Sequence, residues 1–339
     1  MKDSLNPPRY DGRMPYRKCG RWGLKLPAIS LGCWHNFGGD SPTPDQKEMI
    51  QGAFDHGITH FDLANNYGPP YGSAEINVGK ILKDLPRDEI LITSKAGYDM
   101  WPGPYGEWGS KKHMMASLDQ SLKRMKVDYF DLFYSHRFDP GTPLDETLGA
   151  LDSAVQQGKV LYTGVSSYSA DATLQAVSIC KENHFAPLAI HQPNYSMLNR
   201  WAENGLVDTC GELGLGIIAF CPLFQGLLTD KYLHGIPAGS RFTIKNSPLR
   251  KNEVNEQNLK VIGDLNDHAG QRGQTLAQMA LSWVLKDSRV TSALIGASTV
   301  SQILENVKAV GQTDFSSDEL AKLDHILARS NLPKSLWSN

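Results

Sequence analysis

The fold class that the sequence predicts is α/β, and eight repeats of a strand pattern followed by a helix pattern indicate a closed (β/α)8 barrel. The strand patterns are short, β-branched and continuously apolar, as in strands that are buried on both faces. The helix patterns between them carry apolar residues at spacings of three and four. A barrel of this type uses about 250 residues, so a chain of 339 residues also has room for extended loops.

The strand patterns predict barrel strands at even intervals along most of the chain. They occupy residues 29–33, 59–63, 90–95, 129–135, 161–166, 188–192, 216–220 and 292–295. The helix patterns occupy residues 46–55, 74–82, 113–125, 144–157, 172–182, 201–213 and 276–285. Upstream, runs at 16–19 and 24–27 flank Gly20-Arg21-Trp22-Gly23, which predicts an N-terminal β-hairpin that closes the barrel floor.

A long segment separates the seventh and eighth predicted strands. It runs from Cys221 to Thr291 and contains two helical patterns, at 255–269 and 275–286. Long insertions after barrel strands are usually active-site loops and not new domains. We therefore expect a single domain over residues 1–339, with a TIM-type barrel at about 16–327. A doubly wound sheet is the alternative, but no G-x-G-x-x-G motif follows an early strand.

Composition and charge exclude several classes of protein. Hydrophobic residues make up 40% of the chain and charged residues 21%, which excludes disorder as the dominant state. A net charge of -2 is not typical of proteins that bind nucleic acid or an anionic membrane. The longest apolar stretch, 215–224, is too short to span a bilayer, and the N-terminus has no apolar signal-peptide core. We therefore expect a soluble, cytoplasmic protein without nucleic-acid or membrane partners.

Polar and titratable residues follow the predicted strands at their carboxyl ends, the face where barrels of this type carry their active sites. Asp62 lies near the end of the second strand and Tyr67 follows it, Lys95 ends the third strand, and His136 follows the fourth. Each residue alone also has a purely structural interpretation. For Asp62 this is the role of a helix cap. Their joint occurrence at successive strand ends predicts a catalytic group.

These four residues suit the protonation of a carbonyl oxygen. A phenol with an ordinary pKa of about 10 is a weak acid at neutral pH, and a nearby ammonium such as Lys95 would lower the pKa of Tyr67. Asp62 would neutralise the buried Lys95, and His136 would hydrogen-bond the substrate carbonyl and hold it toward Tyr67. We expect no metal, because the sequence has neither an H-E-x-x-H motif nor paired cysteine spacing.

The chain resembles the aldo-keto reductase superfamily from Tyr16 to about Leu327. The matching segments fall in the family's order at barrel-strand ends: Phe61-Asp62-Leu63-Ala64-Asn65-Asn66-Tyr67-Gly68, Thr93-Ser94-Lys95, Asp131-Leu132-Phe133-Tyr134-Ser135-His136, Gly164-Val165-Ser166-Ser167, Gln192-Pro193-Asn194-Tyr195 and Gly296-Ala297-Ser298. Within the superfamily the chain is similar to the branch that contains bacterial L-glyceraldehyde 3-phosphate reductases and potassium-channel β subunits. His136 favours the reductases, because the channel subunits generally have Asn at the matching position.

The resemblance implies a bound nicotinamide cofactor, NADPH, that lies extended across the rim of the barrel. Ser166 and Gln192 would hold its carboxamide, Tyr195 would lie beneath or beside the nicotinamide ring, and Trp34 and Asp62 would complete this end of the site. The pyrophosphate would be wrapped by Cys221, Pro222, Leu223, Gln225, Gly226, Lys231 and Arg241, and the adenosine end would face Gly296, Ser298, Gln302, Glu305 and Asn306. The chain departs from many members at Ser167, where they have Asn, and at Gly296, Ala297 and Gln302, where they have Lys, Ser and Arg.

The implied activity is the reduction of small aldehydes, such as L-glyceraldehyde 3-phosphate or methylglyoxal-like 2-oxoaldehydes, with Tyr67 as general acid. The predicted substrate residues are Trp34, Tyr67, Trp101, His136 and Arg137, and Arg137 is the candidate for a substrate phosphate. A tetramer or larger homo-oligomer is expected by resemblance alone. The alternatives are a redox-sensing, NADP(H)-binding subunit with little turnover, and a phosphate-binding barrel isomerase or lyase.

Overall fold

Eight parallel strands close into a barrel in the computed structural model, which describes residues 8–233, 235–236 and 253–332. The barrel strands are β3 (Ile29–Gly32), β4 (His60–Asp62), β5 (Leu91–Ala96), β6 (Phe130–Ser135), β7 (Val160–Ser166), β8 (Leu188–Gln192), β9 (Gly216–Phe220) and β10 (Val290–Ile295). Each strand pairs with the next along the chain, and β10 pairs with β3 through Ala293 and Ile29. The predicted (β/α)8 fold is therefore confirmed, with strand boundaries that differ by one or two residues.

Helices surround the barrel and pack on its strands. They are α1 (Pro44–Asp55), α2 (Ser73–Leu82), α3 (Lys111–Met125), α4 (Leu144–Gln156), α5 (Ala170–Glu182), α6 (Leu206–Leu213), α7 (Glu256–Gln271), α8 (Leu276–Leu285), α9 (Val300–Val307) and α10 (Ser317–Leu327). The helix expected at 201–213 is shorter, because Gly205 adopts a left-handed φ of 90° that separates a 3-10 turn from α6. The strand-by-strand prediction did not include α9 and α10. No helix in the described part of the chain is both long and apolar enough to cross a bilayer.

The predicted N-terminal hairpin is present and lies across the barrel floor. Its strands β1 (Tyr16–Lys18) and β2 (Lys25–Pro27) pair antiparallel. Gly20 in the turn has a φ of 55°, and a Cβ there would lie 2.2 Å from the carbonyl oxygen of Gly214. A side chain would therefore push the hairpin away from the loop before β9, so glycine is required at this contact.

The barrel interior has an apolar side and a polar side. The apolar side is formed by Leu132, Tyr134, Ile190, Ile218 and Leu294, with Cys19 and Leu26 of the hairpin packed beneath them. The polar side carries Ser30, His60, Thr93 and Ser292, all completely buried. Branched apolar residues dominate the interior of most barrels of this type, so the polar side needs an explanation from its hydrogen bonds.

The segment after β9 begins with a tight turn and continues to α7 and α8. Cys221, Phe224 and Gln225 adopt left-handed φ angles of 54°, 46° and 58°. Such angles are strained in residues that carry a Cβ and often occur at ligand sites. Farther along, α7 packs on α8 and on α10, so the two helical patterns expected in this insertion are both present.

Candidate active site

A cavity of about 1210 Å³ opens at the carboxyl ends of the strands. Side chains from around the whole rim line it: Trp34 after β3, Asp62 on β4, Tyr98 after β5, His136 after β6, Ser166 on β7, Gln192 on β8, Phe220 on β9 and Leu294 on β10. Parallel strands direct their carboxyl ends to one face, so residues far apart in sequence converge there. The cavity is large enough to hold an extended ligand and a small molecule beside it.

Asp62 and Lys95 form a buried ion pair at the base of this cavity. Lys95 Nζ donates to Asp62 Oδ2 at 2.5 Å and to the backbone carbonyl oxygen of Leu63 at 2.7 Å. Asp62 Oδ1 accepts from Thr93 Oγ1 at 2.8 Å and from Gln192 Nε2 at 3.1 Å. Burial lowers the pKa of Lys95, and the attraction of Asp62 opposes that change. The pair is stable in this position because every polar atom that it buries has a partner.

Tyr67 lies above the pair on the loop between β4 and α2. Its backbone carbonyl accepts from the amides of Gly72 and Ala74 at 3.1 and 3.3 Å, which anchors the loop to the start of α2. Lys95 Nζ lies 5.2 Å from the centroid of the Tyr67 ring, a distance at which an ammonium and an aromatic face attract each other. The ring also approaches those of Trp34 at 5.7 Å and His136 at 6.0 Å.

The pKa of Tyr67 differs from the expectation based on sequence. Burial raises this pKa well above its ordinary value, and the negative charge of Asp62 raises it further. The positive charge of Lys95 favours the phenolate but does not outweigh these two effects, because Asp62 neutralises part of it. Tyr67 is therefore a neutral phenol across the neutral pH range, which is the protonation state that a proton donor needs.

His136 faces Tyr67 across the cavity. Its backbone amide donates to the carbonyl oxygen of Ala96 at 2.9 Å, and the edge of the Tyr98 ring packs at 4.7 Å from its own. Burial lowers the pKa of His136 well below its ordinary value, and the positive charges of Lys95 and Arg137 act in the same direction. The ring is therefore neutral. Its buried Nδ1 has no hydrogen-bond partner among the described residues, so it retains hydrogen-bonding capacity that a ligand can use.

Most of the residues predicted for the cofactor line this cavity. Trp34, Asp62, Ser166 and Gln192 lie at one end. The others that line it are Cys221, Pro222, Leu223, Gln225, Gly226, Lys231, Gly296, Ser298, Gln302, Glu305 and Asn306. Gln302 Oε1 accepts from the backbone amide and hydroxyl of Ser298 at 2.9 and 3.1 Å, which ties the loop after β10 to the first turn of α9.

Three of the predicted site residues are not among the described residues that line the cavity. Tyr195 is buried and its hydroxyl donates to Glu203 at 2.8 Å. Trp101 packs its ring 5.0 Å from that of His113. Arg137 hydrogen-bonds the Gly97 carbonyl at 3.0 Å and Glu107, and it is sandwiched between the rings of Tyr98 and Trp108. Arg241 lies outside the described residues.

Several lining residues were missed by the sequence prediction. Phe220 ends β9 and lines the cavity on the same wall as Ser166 and Gln192. Its position as the last residue of an apolar strand is a signal that could have identified it, because strand ends form the rim. A further group lies on α7, just before α8 and on α9, where sequence carries no comparable signal: Asn266, Gly270, Gln274, Thr275 and Ser301.

Two buried histidines of the barrel wall are expected to make the protein less stable in acid. Burial lowers the pKa of His60 to about 4 and that of His191 to about 3. Both rings are neutral when folded, whereas an unfolded histidine becomes protonated below about pH 6.5. The free energy of unfolding should therefore fall as the pH drops from about 6.5 to 5, by about 2 kcal/mol for each histidine.

Urea unfolding at about pH 7.5 and pH 5 measures this loss. The variant His191→Gln removes one of the buried titrating rings and should reduce the loss of stability between these two pH values by about 2 kcal/mol. An unchanged pH dependence in that variant would contradict the assignment.

Metal ligands are not grouped in the part of the chain that the structure describes. No cluster of three or more His, Cys, Asp or Glu side chains is placed to hold an ion among residues 8–233, 235–236 and 253–332. None of the five cysteines, all of which lie in the described part of the chain, forms a disulfide bond.

Comparison with known proteins adds independent information on relatedness. The model of the aldo/keto reductase family matches residues 28–328. The chain is 55% identical over 339 residues to L-glyceraldehyde 3-phosphate reductase of Escherichia coli (strain K12), covering 98% of this chain and 97% of the relative. It is 38% identical over 325 residues to a putative voltage-gated potassium channel subunit beta of Schizosaccharomyces pombe, covering 93% of each. A probable subunit of the same type from Oryza sativa subsp. japonica is 33% identical over 304 residues, 88% of this chain and 91% of the relative.

Proposed function

The chain belongs to the aldo/keto reductase family and is an oxidoreductase, and from this premise we propose that it reduces small aldehydes to alcohols with NADPH, using Tyr67 as the general acid. One observation carries this proposal. A neutral phenol, a buried ammonium–carboxylate pair and a neutral imidazole converge on the base of one large cavity.

The residues around the cavity fit a dinucleotide. Gln192 and Ser166 offer polar groups at one end, and Ser298 with the first turn of α9 offers donors for a phosphate at the other. Lys231 is the only lysine or arginine among the described residues that line the cavity. Its position in the sequence lies between Gln192 of the first end and Ser298 of the second. Phe220 presents an aromatic side chain beside Ser166 and Gln192, where a planar ring of the ligand would pack.

When bound, the cofactor supplies a hydride to the carbonyl carbon, and the residues of the chain manage the carbonyl oxygen. Tyr67 donates its proton to that oxygen as negative charge develops there. Lys95 stabilises the resulting phenolate, and Asp62 holds Lys95 in place. The neutral ring of His136 donates one N–H to the same oxygen and orients it toward Tyr67.

The walls around His136 define the class of substrate. Trp34, Tyr71 and Tyr98 surround this part of the cavity with aromatic rings, and Asp99 and Asn66 add polar groups. A short aldehyde with a neighbouring oxygen fits this combination of apolar walls and a few hydrogen-bonding groups. Our substrate proposal is therefore L-glyceraldehyde 3-phosphate or a methylglyoxal-like 2-oxoaldehyde, in line with the name of the E. coli relative.

Loss of NADPH absorbance tests the proposal with purified protein and a panel of glyceraldehyde, L-glyceraldehyde 3-phosphate and methylglyoxal. We expect turnover with at least one aldehyde, and a kcat/KM with NADPH at least about tenfold above that with NADH, the size of one modest phosphate contact. Quenching of protein fluorescence by NADPH without any turnover would contradict the proposal and favour the regulatory subunit. Neither quenching nor turnover would favour a barrel enzyme without nicotinamide.

A further inference from the structure

A chain of hydrogen bonds crosses the polar side of the barrel interior and ends on the Asp62 carboxylate. Ser292 Oγ lies 2.7 Å from Ser30 Oγ, and Ser30 Oγ lies 2.8 Å from His60 Nδ1. His60 Nε2 lies 3.1 Å from Thr93 Oγ1, which donates to Asp62 Oδ1 at 2.8 Å. The five residues belong to four adjacent strands, β10, β3, β4 and β5, and are completely buried.

The acceptor at the end of the chain fixes the direction of every donor. A carboxylate only accepts, so Thr93 spends its single hydroxyl hydrogen on Asp62. Thr93 must then accept from His60, which places the histidine proton on Nε2. Burial lowers the pKa of His60 to about 4, with Asp62 opposing and Lys95 favouring that shift, so the ring carries no second proton. Its Nδ1 therefore accepts from Ser30, and Ser30 in turn accepts from Ser292.

We propose that His60 and Thr93 are positioning residues for the catalytic pair, because they hold the Asp62 carboxylate in the orientation that presents Oδ2 to Lys95. With the proton on Nδ1 instead, His60 Nε2 would compete with Asp62 for the hydrogen of Thr93. Asp62 Oδ1 would then keep only the hydrogen bond from Gln192, a residue that also lines the cavity. The tautomer of a ring deep in the barrel thus controls the geometry of the ion pair under Tyr67. This inference rests on the proposed function, since it concerns how Asp62 and Lys95 support proton transfer.

Substitutions at Thr93 separate positioning from packing. Thr93→Val keeps the shape and removes the hydroxyl, whereas Thr93→Ser keeps the hydroxyl. We expect kcat to fall about 10- to 100-fold in Thr93→Val, as for the loss of one hydrogen bond to a charged group. The KM for the aldehyde and the Kd for NADPH should change less than about threefold, and Thr93→Ser should restore kcat to within about threefold of the parent, because neither change touches the cavity lining.

Thr163→Val is the matched control, because Thr163 is an equally buried threonine of the barrel. Its hydroxyl donates to the Pro187 carbonyl at 3.2 Å, away from the chain of bonds to Asp62. This control should lose stability but keep kcat. An equal fall of kcat in Thr163→Val, a parental kcat in Thr93→Val, or no rescue by Thr93→Ser would each overturn the positioning role.

The tautomer itself is measured by long-range ¹H–¹⁵N correlation spectroscopy of protein labelled at histidine, with the His60 signals assigned by their absence in His60→Gln. We expect a protonated Nε2 and a bare Nδ1 at neutral pH in the unsubstituted protein. A proton on Nδ1 would overturn the inference even if Thr93→Val does not fold. Absence of reductase activity in the parent protein would instead count against the proposed function, and the tautomer measurement would still report on the chain of bonds to Asp62.

Discussion

Replacement of Tyr67 by Phe is expected to lower kcat for aldehyde reduction by about 10²- to 10⁴-fold, the usual contribution of a positioned proton donor. The aromatic ring remains, so the contacts with Trp34 and His136 and the binding of NADPH should be retained. Steady-state kinetics and fluorescence quenching by NADPH measure the two effects on the same preparation. A fall in kcat with unchanged cofactor affinity isolates the hydroxyl as the group that matters.

Tyr168→Phe is the control for this experiment. Tyr168 is a buried tyrosine that hydrogen-bonds Ser135 at 2.9 Å and does not line the cavity. Removal of the Tyr168 hydroxyl should leave kcat within a few-fold of the value for the parent protein. Near-parental kcat in Tyr67→Phe would remove Tyr67 as the general acid, and an equal fall in both variants would point to a general loss of packing.

Replacement of Lys95 by Met should affect both stability and activity. It leaves the Asp62 carboxylate buried without its counter-charge, which typically costs about 3–5 kcal/mol of folding free energy. It also removes the cation that stabilises the Tyr67 phenolate, so kcat should fall by at least about 10²-fold. Denaturant unfolding and steady-state kinetics measure the two losses.

Two further variants serve as comparisons for Lys95→Met. The double variant Asp62→Asn with Lys95→Met removes both charges, and it should recover part of the lost stability without recovering activity. Lys159→Met breaks a partly exposed pair with Asp119, 2.8 Å in length, and should cost no more than about 1 kcal/mol. A cost for Lys95→Met as small as that for Lys159→Met, or parental turnover in the double variant, would contradict the role of the ion pair.

The barrel and the residues at the base of the candidate active site could be predicted from sequence because both follow from short local patterns. Buried parallel strands are continuous apolar runs, and their carboxyl ends are the residues that follow each run. Asp62, Lys95 and His136 follow from this rule without knowledge of any contact. Tyr67 follows because it lies five residues after Asp62, on the loop that leaves the carboxyl end of β4.

The predicted site residues that the structure places away from the cavity lining are held by contacts with other segments of the chain. Arg137 directly follows His136, but it pairs with Glu107, which is 30 residues away on another loop. This contact holds the Arg137 side chain away from the cavity. Tyr195 follows a strand end, but Glu203 holds its hydroxyl on the outside of the barrel. The pKa of Tyr67 depends on how completely Asp62 neutralises Lys95 and on burial, and neither quantity is visible in a linear pattern.

The pairing of the first and last barrel strands has a consequence for protein synthesis. Ser30 and Ser292 are 262 residues apart in the chain, whereas Asp62 and Lys95 are only 33 apart. A nascent chain can therefore form the ion pair early, but β3 gains its second neighbour only after β10 has left the ribosome. Until then the seven strands from β3 to β9 form an open sheet whose two edges, β3 and β9, are free to pair with another chain. Chaperone dependence and co-translational aggregation should thus concentrate in the period before the last strand is made.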